Sequence, residues 1–197
     1  MRKVLILAVL ALPSLVRAAT WDLDPAHSSV QFSVRHLMVS TVRGAFGKVA
    51  GTVAVDEQDL TRSKIQATID AASIDTRIEK RDAHLKSPDF LDVAKYPTIT
   101  FVSKKIERVA PDHFKVTGDL TLHGVTREAI LDVEGPTPEM KDPWGKTRAG
   151  AQATTTINRK DFGLTWNQAL EAGGVAVGDE VKITIDVEAT KQPAAGG

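Results

Sequence analysis

The groups most able to hold a metal ion or move a proton near neutral pH are the five histidines. They are His27, His36, His84, His113 and His123. None falls in an HxH, HxxxH or HExxH spacing. A zinc site would need histidines brought together from separate strands, so neither a metal nor another cofactor is expected. Ser28, Ser29, Ser33 and Ser40 lack the GxSxG elbow and the strand-turn-helix context that would expose a nucleophile. The chain has no cysteine, which excludes thiol nucleophiles, thiol redox and thiolate metal sites. GAFGKVAG, from Gly44 to Gly51, lacks the GK[ST] ending of a phosphate loop. The expectation is a protein that is not an enzyme.

Three polar side chains remain as candidates for a ligand head group. His36 continues the apolar face of Val30, Phe32 and Val34, so it could point inward near a strand end. The competing reading is a histidine satisfied by a backbone carbonyl. Arg81 stands beside Asp82, and Arg159 lies in INRKDFGL with Asp161. The forked donors of either arginine suit a diphosphate or quinone head. The competing reading is an arginine–aspartate network that pins a long connection to the rest of the fold.

The elements that must position these groups are mostly strands. Apolar and polar residues alternate with period two through Val30–Phe32–Val34, Val49–Val55, Ile65–Ile69 and Ile99 to Val109. The clearest case is Phe114, Val116, Gly118, Leu120 and Leu122, with Thr117, Asp119, Thr121 and His123 opposite. Ala129–Val133, Thr147–Ile157 and Val181–Val187 complete about eight strands. Antiparallel neighbours with one apolar face suit a barrel or sandwich. Two stretches break the rhythm. Thr76 and Glu79 form a capping-box pattern opening a helical segment with Ile78 and Leu85 on one face. Ser87-Pro88 restarts a short turn, and Tyr96-Pro97 returns the chain to extended geometry. The second stretch, 158–178, sets Phe162, Leu164, Trp166 and Leu170 among glycines.

Residues 1–18 have the layout of a cleaved secretory signal peptide: Arg2-Lys3, an apolar run from Val4 to Leu15, then small residues at 16 and 18. Cleavage after Ala18 would remove Arg2, Lys3 and Arg17, leaving 22 basic against 25 acidic residues and a formal charge of −3. No basic stripe remains for nucleic acid, and a periplasmic location is expected. Residues 19–191 read as one domain, long enough to bury a core without disulfides, and 192–197 as a flexible tail.

WDLDPAHSSVQFSVRHL (from Trp21), GAFGKVAGTV (Gly44), ASIDT (Ala72), RDAHLKSPDFLDVAKYPTITF (Arg81), GDLTLHGVT (Gly118), INRKDFGL (Ile157) and VGDEVKITIDVEA (Val177) follow one another in order. This series resembles the YceI family of exported lipid- or polyisoprenoid-binding proteins. The resemblance implies an all-β fold, an extended eight-stranded antiparallel lipocalin-like barrel, here with a short helical insertion around 76–91. It also implies a long isoprenoid or similar amphiphile as ligand.

Burial makes such a ligand reasonable, since each isoprene unit could contribute up to about 4 kcal/mol at roughly 0.8 per carbon, less association costs. Alternation nominates Phe32, Val34, Ile69, Phe101, Leu120, Leu122, Ile183 and Ile185 as apolar lining, and Phe90, Phe162 and Trp166 as mouth or lid. Small residues such as Gly51 and Gly118 either leave a tunnel or relieve strand crowding. The leading expectation is periplasmic binding, sequestration or transport of a polyisoprenoid or isoprenoid quinone, with a homodimer among the expected assemblies. The alternatives are a secreted enzyme or accessory factor acting on lipid or quinone, and a stress-related adaptor with a filled core.

Overall fold

The computed structural model describes residues 18–171 and 173–193. The expected signal peptide, apart from Ala18, and the tail beyond Pro193 lie outside the described residues. The strand segments are β1 (Ala19–Leu23), β2 (Ser29–His36), β3 (Ser40–Phe46), β4 (Val49–Val55), β5 (Lys64–Asp70) and β6 (Ile74–Asp75). After helix α1 (Glu79–Lys86) come β7 (Thr98–Ala110), β8 (His113–Leu122), β9 (Val125–Glu134), β10 (Met140–Lys141), β11 (Thr147–Asn158) and β12 (Val177–Lys191).

Eight of these segments close a ring in the order β1–β4–β5–β7–β8–β9–β11–β12, with β12 pairing back onto β1. All the pairings are antiparallel. At one end the wall continues upward: β2 pairs with β12 and β3, and β6 pairs with β3. The fold is therefore the expected extended eight-stranded barrel. Closure removes every free edge of the ring and turns one face of each strand inward.

Local chemistry explains the breaks. β1 and β2 are two halves of one long strand interrupted at Asp24–Ser28. Pro25 has no N–H for a ladder, and Asp24 Oδ1 accepts from the Ala26 N–H at 2.9 Å, a side-chain turn typical of Asp. In β7 the register against β8 slips between Ser103 and Lys105. That bulge moves the inward positions from odd to even numbers, so Phe101 and Ile106 bury together with Phe114 and Val116.

Four strand segments, β1, β3, β6 and β10, lie outside the alternating runs of the sequence. Gly44 interrupts the apolar row of Val42 and Phe46 in β3, and β6 and β10 are only two residues long. The capping box also differs from expectation. Helix α1 begins at Glu79 behind an Ile78 that makes no side-chain cap and is 52% exposed. Thr76 is instead buried, because Asp82 reaches back to it. The Asp82 carboxylate accepts from the Thr76 N–H at 2.9 Å and from its hydroxyl at 2.5 Å, while Arg81 Nε donates to the same hydroxyl at 2.7 Å.

Gly118 settles one open alternative. A methyl group there would stand 2.5 Å from the Phe101 ring and 2.6 Å from the Val102 carbonyl. The glycine lets an aromatic ring lie across its strand; it does not leave a void. Gly118→Ala should therefore destabilise the barrel by about 1–3 kcal/mol, read as a lower urea midpoint at unchanged m-value.

Candidate functional site

A cavity of about 200 Å³ lies at the end of the barrel where β1 begins and β12 finishes. Every strand of the ring contributes to its wall: Trp21, Val53, Ile65, Ile106, Val116, Val133, Ala151 and Val187 come from eight different strands. The cavity is thus the lumen itself. Ala149, Ala151 and Ala189 are small members of a wall that also holds larger apolar side chains. Its polar members are few, with Ser63, Thr137 and Glu139 among them.

Trp21 borders the cavity with its ring nearly buried, and its indole N–H has no hydrogen-bond partner among the described residues. The Lys191 ammonium stands 5.5 Å over that ring. It also bridges Glu57 at 2.7 Å and Glu139 at 3.1 Å, joining the β4–β5 and β9–β10 connections to the end of β12. Those two carboxylates hold the Lys191 ammonium above its ordinary pKa.

The eight side chains expected as lining lie further along the lumen, and none borders this cavity. Register places them on one inner surface: Phe32 faces Ile183, Ile185 faces Val30, and Phe101 faces Leu120. Phe101 and Leu122 are buried, whereas Phe32, Val34, Ile69, Leu120, Ile183 and Ile185 keep part of their surface accessible. The cavity wall mixes large side chains, such as Trp21, Ile106 and Phe114, with the small Ala149 and Ala151.

The expected lid residues gather at the opposite end. Phe90 and Trp166 rings are 5.1 Å apart, and each meets His84 at 5.0 Å. Phe162 is buried in the main core. Together with α1 they form a plug, and Arg159 fastens it. Arg159 is 3% exposed, and all five of its N–H donors find acceptors. Nε donates to the Gly178 carbonyl at 2.9 Å; Nη1 donates to those of Leu164 and Trp166; Nη2 reaches Val177 at 3.3 Å and Asp179 at 3.4 Å. Burial lowers its pKa. Arg81 is committed to Thr76 as described. His36 ends β2 opposite Val177 and Ser40, on the face of Val34 but far from the cavity.

A second polar cluster sits on the outer surface. Ligand atoms of Asp24, His27 and Glu188 lie within 4.8 Å of one another, close enough to share a metal. Arg148 bridges two of them instead: its guanidinium pairs with Asp24 at 2.7 Å, with Asp142 at 2.6 Å and with Glu188. His27, then Arg148, hold the Asp24 carboxyl well below the usual range. Arg148 likewise lowers Asp142, and Asp24 raises His27. The network ties the β1–β2 bend to β12 and to the β10–β11 turn.

A closed antiparallel barrel with an apolar cavity in its lumen defines the class. The chain belongs to the YceI-like domain family, whose description matches residues 21–189. UPF0312 proteins of Staphylococcus aureus strains MSSA476 and USA300 are each 42% identical over 165 residues, covering 84% of this chain and 94% of theirs. The YceI protein of Campylobacter jejuni superposes with a TM-score of 0.68 at 32% identity, covering 81% of this chain and 90% of that one. BcnA of Burkholderia cenocepacia gives 0.72 at 25% identity, over 84% and 98%. A polyisoprenoid-binding domain from Saccharophagus degradans gives 0.64 at 18% identity, over 87% and 98%, a likeness of fold.

The outer network sets a pH window. Asp24 and Asp142 have folded pKa values below their ordinary 3.8. Their contribution is complete above that value and drains away as pH falls toward the folded ones. His27 is raised above 6.5, so its share is present below 6.5 and lost as pH rises through the folded value. Arg148→Gln should lower Tm at pH 5 to 6 and flatten the acid limb below pH 4, as followed by circular dichroism.

Proposed function

We propose that this protein binds and sequesters a long-chain amphiphile, such as a polyisoprenoid or an isoprenoid quinone, within the barrel, and that it does so after export to the periplasm. It acts in this reading as a carrier and not as an enzyme. The observation that carries the proposal is a lumen with wall residues from all eight strands, almost wholly apolar and open to a tail at the Trp21 end. The N-terminal residues 1–18 support export through their charge and hydropathy pattern. The Saccharophagus domain of the same fold is described as polyisoprenoid-binding, which favours the same cargo here.

The cavity of about 200 Å³ is smaller than the roughly 300–1,000 Å³ of ordinary ligand sites. It accommodates one section of a tail. Further along, Phe32, Ile69, Leu120, Ile183 and Ile185 face inward yet are only partly buried. An inward side chain that keeps accessible surface borders space, so a tail can continue between them with rotamer changes. His36, Arg81 and Arg159 enter this reading as supports of the plugged end, and Ser63, Thr137 and Glu139 are polar groups at the cavity itself.

Protein purified from its own periplasm should carry a stoichiometric long-chain amphiphile by lipid mass spectrometry. Ala151→Trp, which fills the lumen, should lose that lipid while keeping a folded circular dichroism spectrum. A clean wild-type protein that also ignores added prenols and quinones would sink the proposal.

A further inference from the structure

The connection from β9 to β11 borders the cavity through Gly135, Thr137 and Glu139, and the cavity wall resumes at Ala149. Between Glu139 and Ala149 the chain leaves the barrel as the β10–β11 hairpin, Met140 facing Arg148 and Lys141 facing Thr147. The hairpin carries Met140 at 63% exposure and Trp144 at 81%. Lys141 and Lys146 are exposed beside them, and neither forms an ion pair among the described residues.

The hairpin's one carboxylate is withdrawn. The Asp142 side chain is only 6% exposed, pairs with Arg148 Nε at 2.6 Å, and accepts the N–H groups of Trp144 and Lys146 at 2.9 Å each. The neighbouring Glu139 is paired with Lys191. The outward surface of the hairpin is thus a large indole, a thioether and two ammonium groups, while Asp142 is turned to Arg148 and Glu139 to Lys191. The Asp142 bonds fix the turn, so the indole is presented without ordering a loop. Indole rings favour the boundary between water and acyl chains, and lysines beside them are drawn to anionic head groups.

We propose that this hairpin docks the protein on an anionic lipid bilayer, setting the cavity rim against the membrane surface. The inference extends the carrier reading, and it is measured without cargo so that either can fail alone. The full chain and its variants, which share one N-terminal stretch, are sedimented with vesicles of phosphatidylcholine alone or mixed with phosphatidylglycerol. Binding should require phosphatidylglycerol. It should fall roughly tenfold or more in Lys141→Gln/Lys146→Gln, and fall also in Trp144→Ser. Brominated lipid should quench the wild type more than Trp144→Phe. All these side chains are exposed, so Tm should not change.

Equal binding by Trp144→Ser, or equal binding to pure phosphatidylcholine, would overturn the proposal. So would a wild-type dimer that Trp144→Ser converts to monomer by analytical ultracentrifugation, because the hairpin would then serve a second copy. Vesicle binding that survives alongside a failure to take up detergent-solubilised prenol would defeat the carrier reading alone.

Discussion

Strand β12 is paired along both sides. Across one ladder Ala189 faces Leu23, and across the other it faces Ala149. The pairing with β11 runs without a break from Arg148–Thr190 to Asn158–Glu180. On its other side β12 holds β1 near one end and β2 along the rest. Closure of the barrel depends on this double ladder. A slip of one residue would turn Val181, Ile183, Ile185 and Val187 outward and expose the lumen's longest apolar row. Arg148 reinforces the seam from outside, since its partners lie on the β1–β2 bend and on β12 itself.

Given closure, side-chain size decides what each end can do. The upper end contains Phe46, Leu91, Leu122, Phe162 and Leu164 and is packed shut. Arg159 holds its plug by hydrogen bonds to carbonyls of the plug and of β12. Those bonds are expensive to lose, because a buried carbonyl stripped of its donor costs about 1–3 kcal/mol. The lower end sets Ala149, Ala151 and Ala189 among the larger Trp21 and Phe114, and a cavity remains there. One barrel therefore has a firm stop and a soft, apolar mouth, the arrangement a linear tail requires.

Seven of the eight ring strands were legible, all but β1, because they show period-two alternation and the ring buries one face only. Phe114 to Leu122 and Val181 to Val187 fall within observed strands and keep the expected facing. The family blocks from Trp21 to Ala189 carried the barrel and its closure, which alternation alone leaves open between barrel and sandwich. The site was harder to read. Long-range pairing brings Trp21, Val133 and Ala151 to one end, and no local pattern records that. In the sequence Arg159 suits either a head group or a network that pins a long connection, because exposed and buried arginines are indistinguishable there. Only the fold shows its donors spent on five neighbours. Thr76 misled for a related reason: the residue that caps a helix and the residue a helix grips share one composition.

The central claim is that a single tail threads the lumen from the Trp21 end toward the plug. It is tested most directly by titrating the protein with detergent-solubilised prenols of increasing length and measuring affinity calorimetrically. The structure predicts that affinity rises with each added isoprene unit and then levels off once the tail reaches the plugged end. Affinity independent of chain length would contradict it.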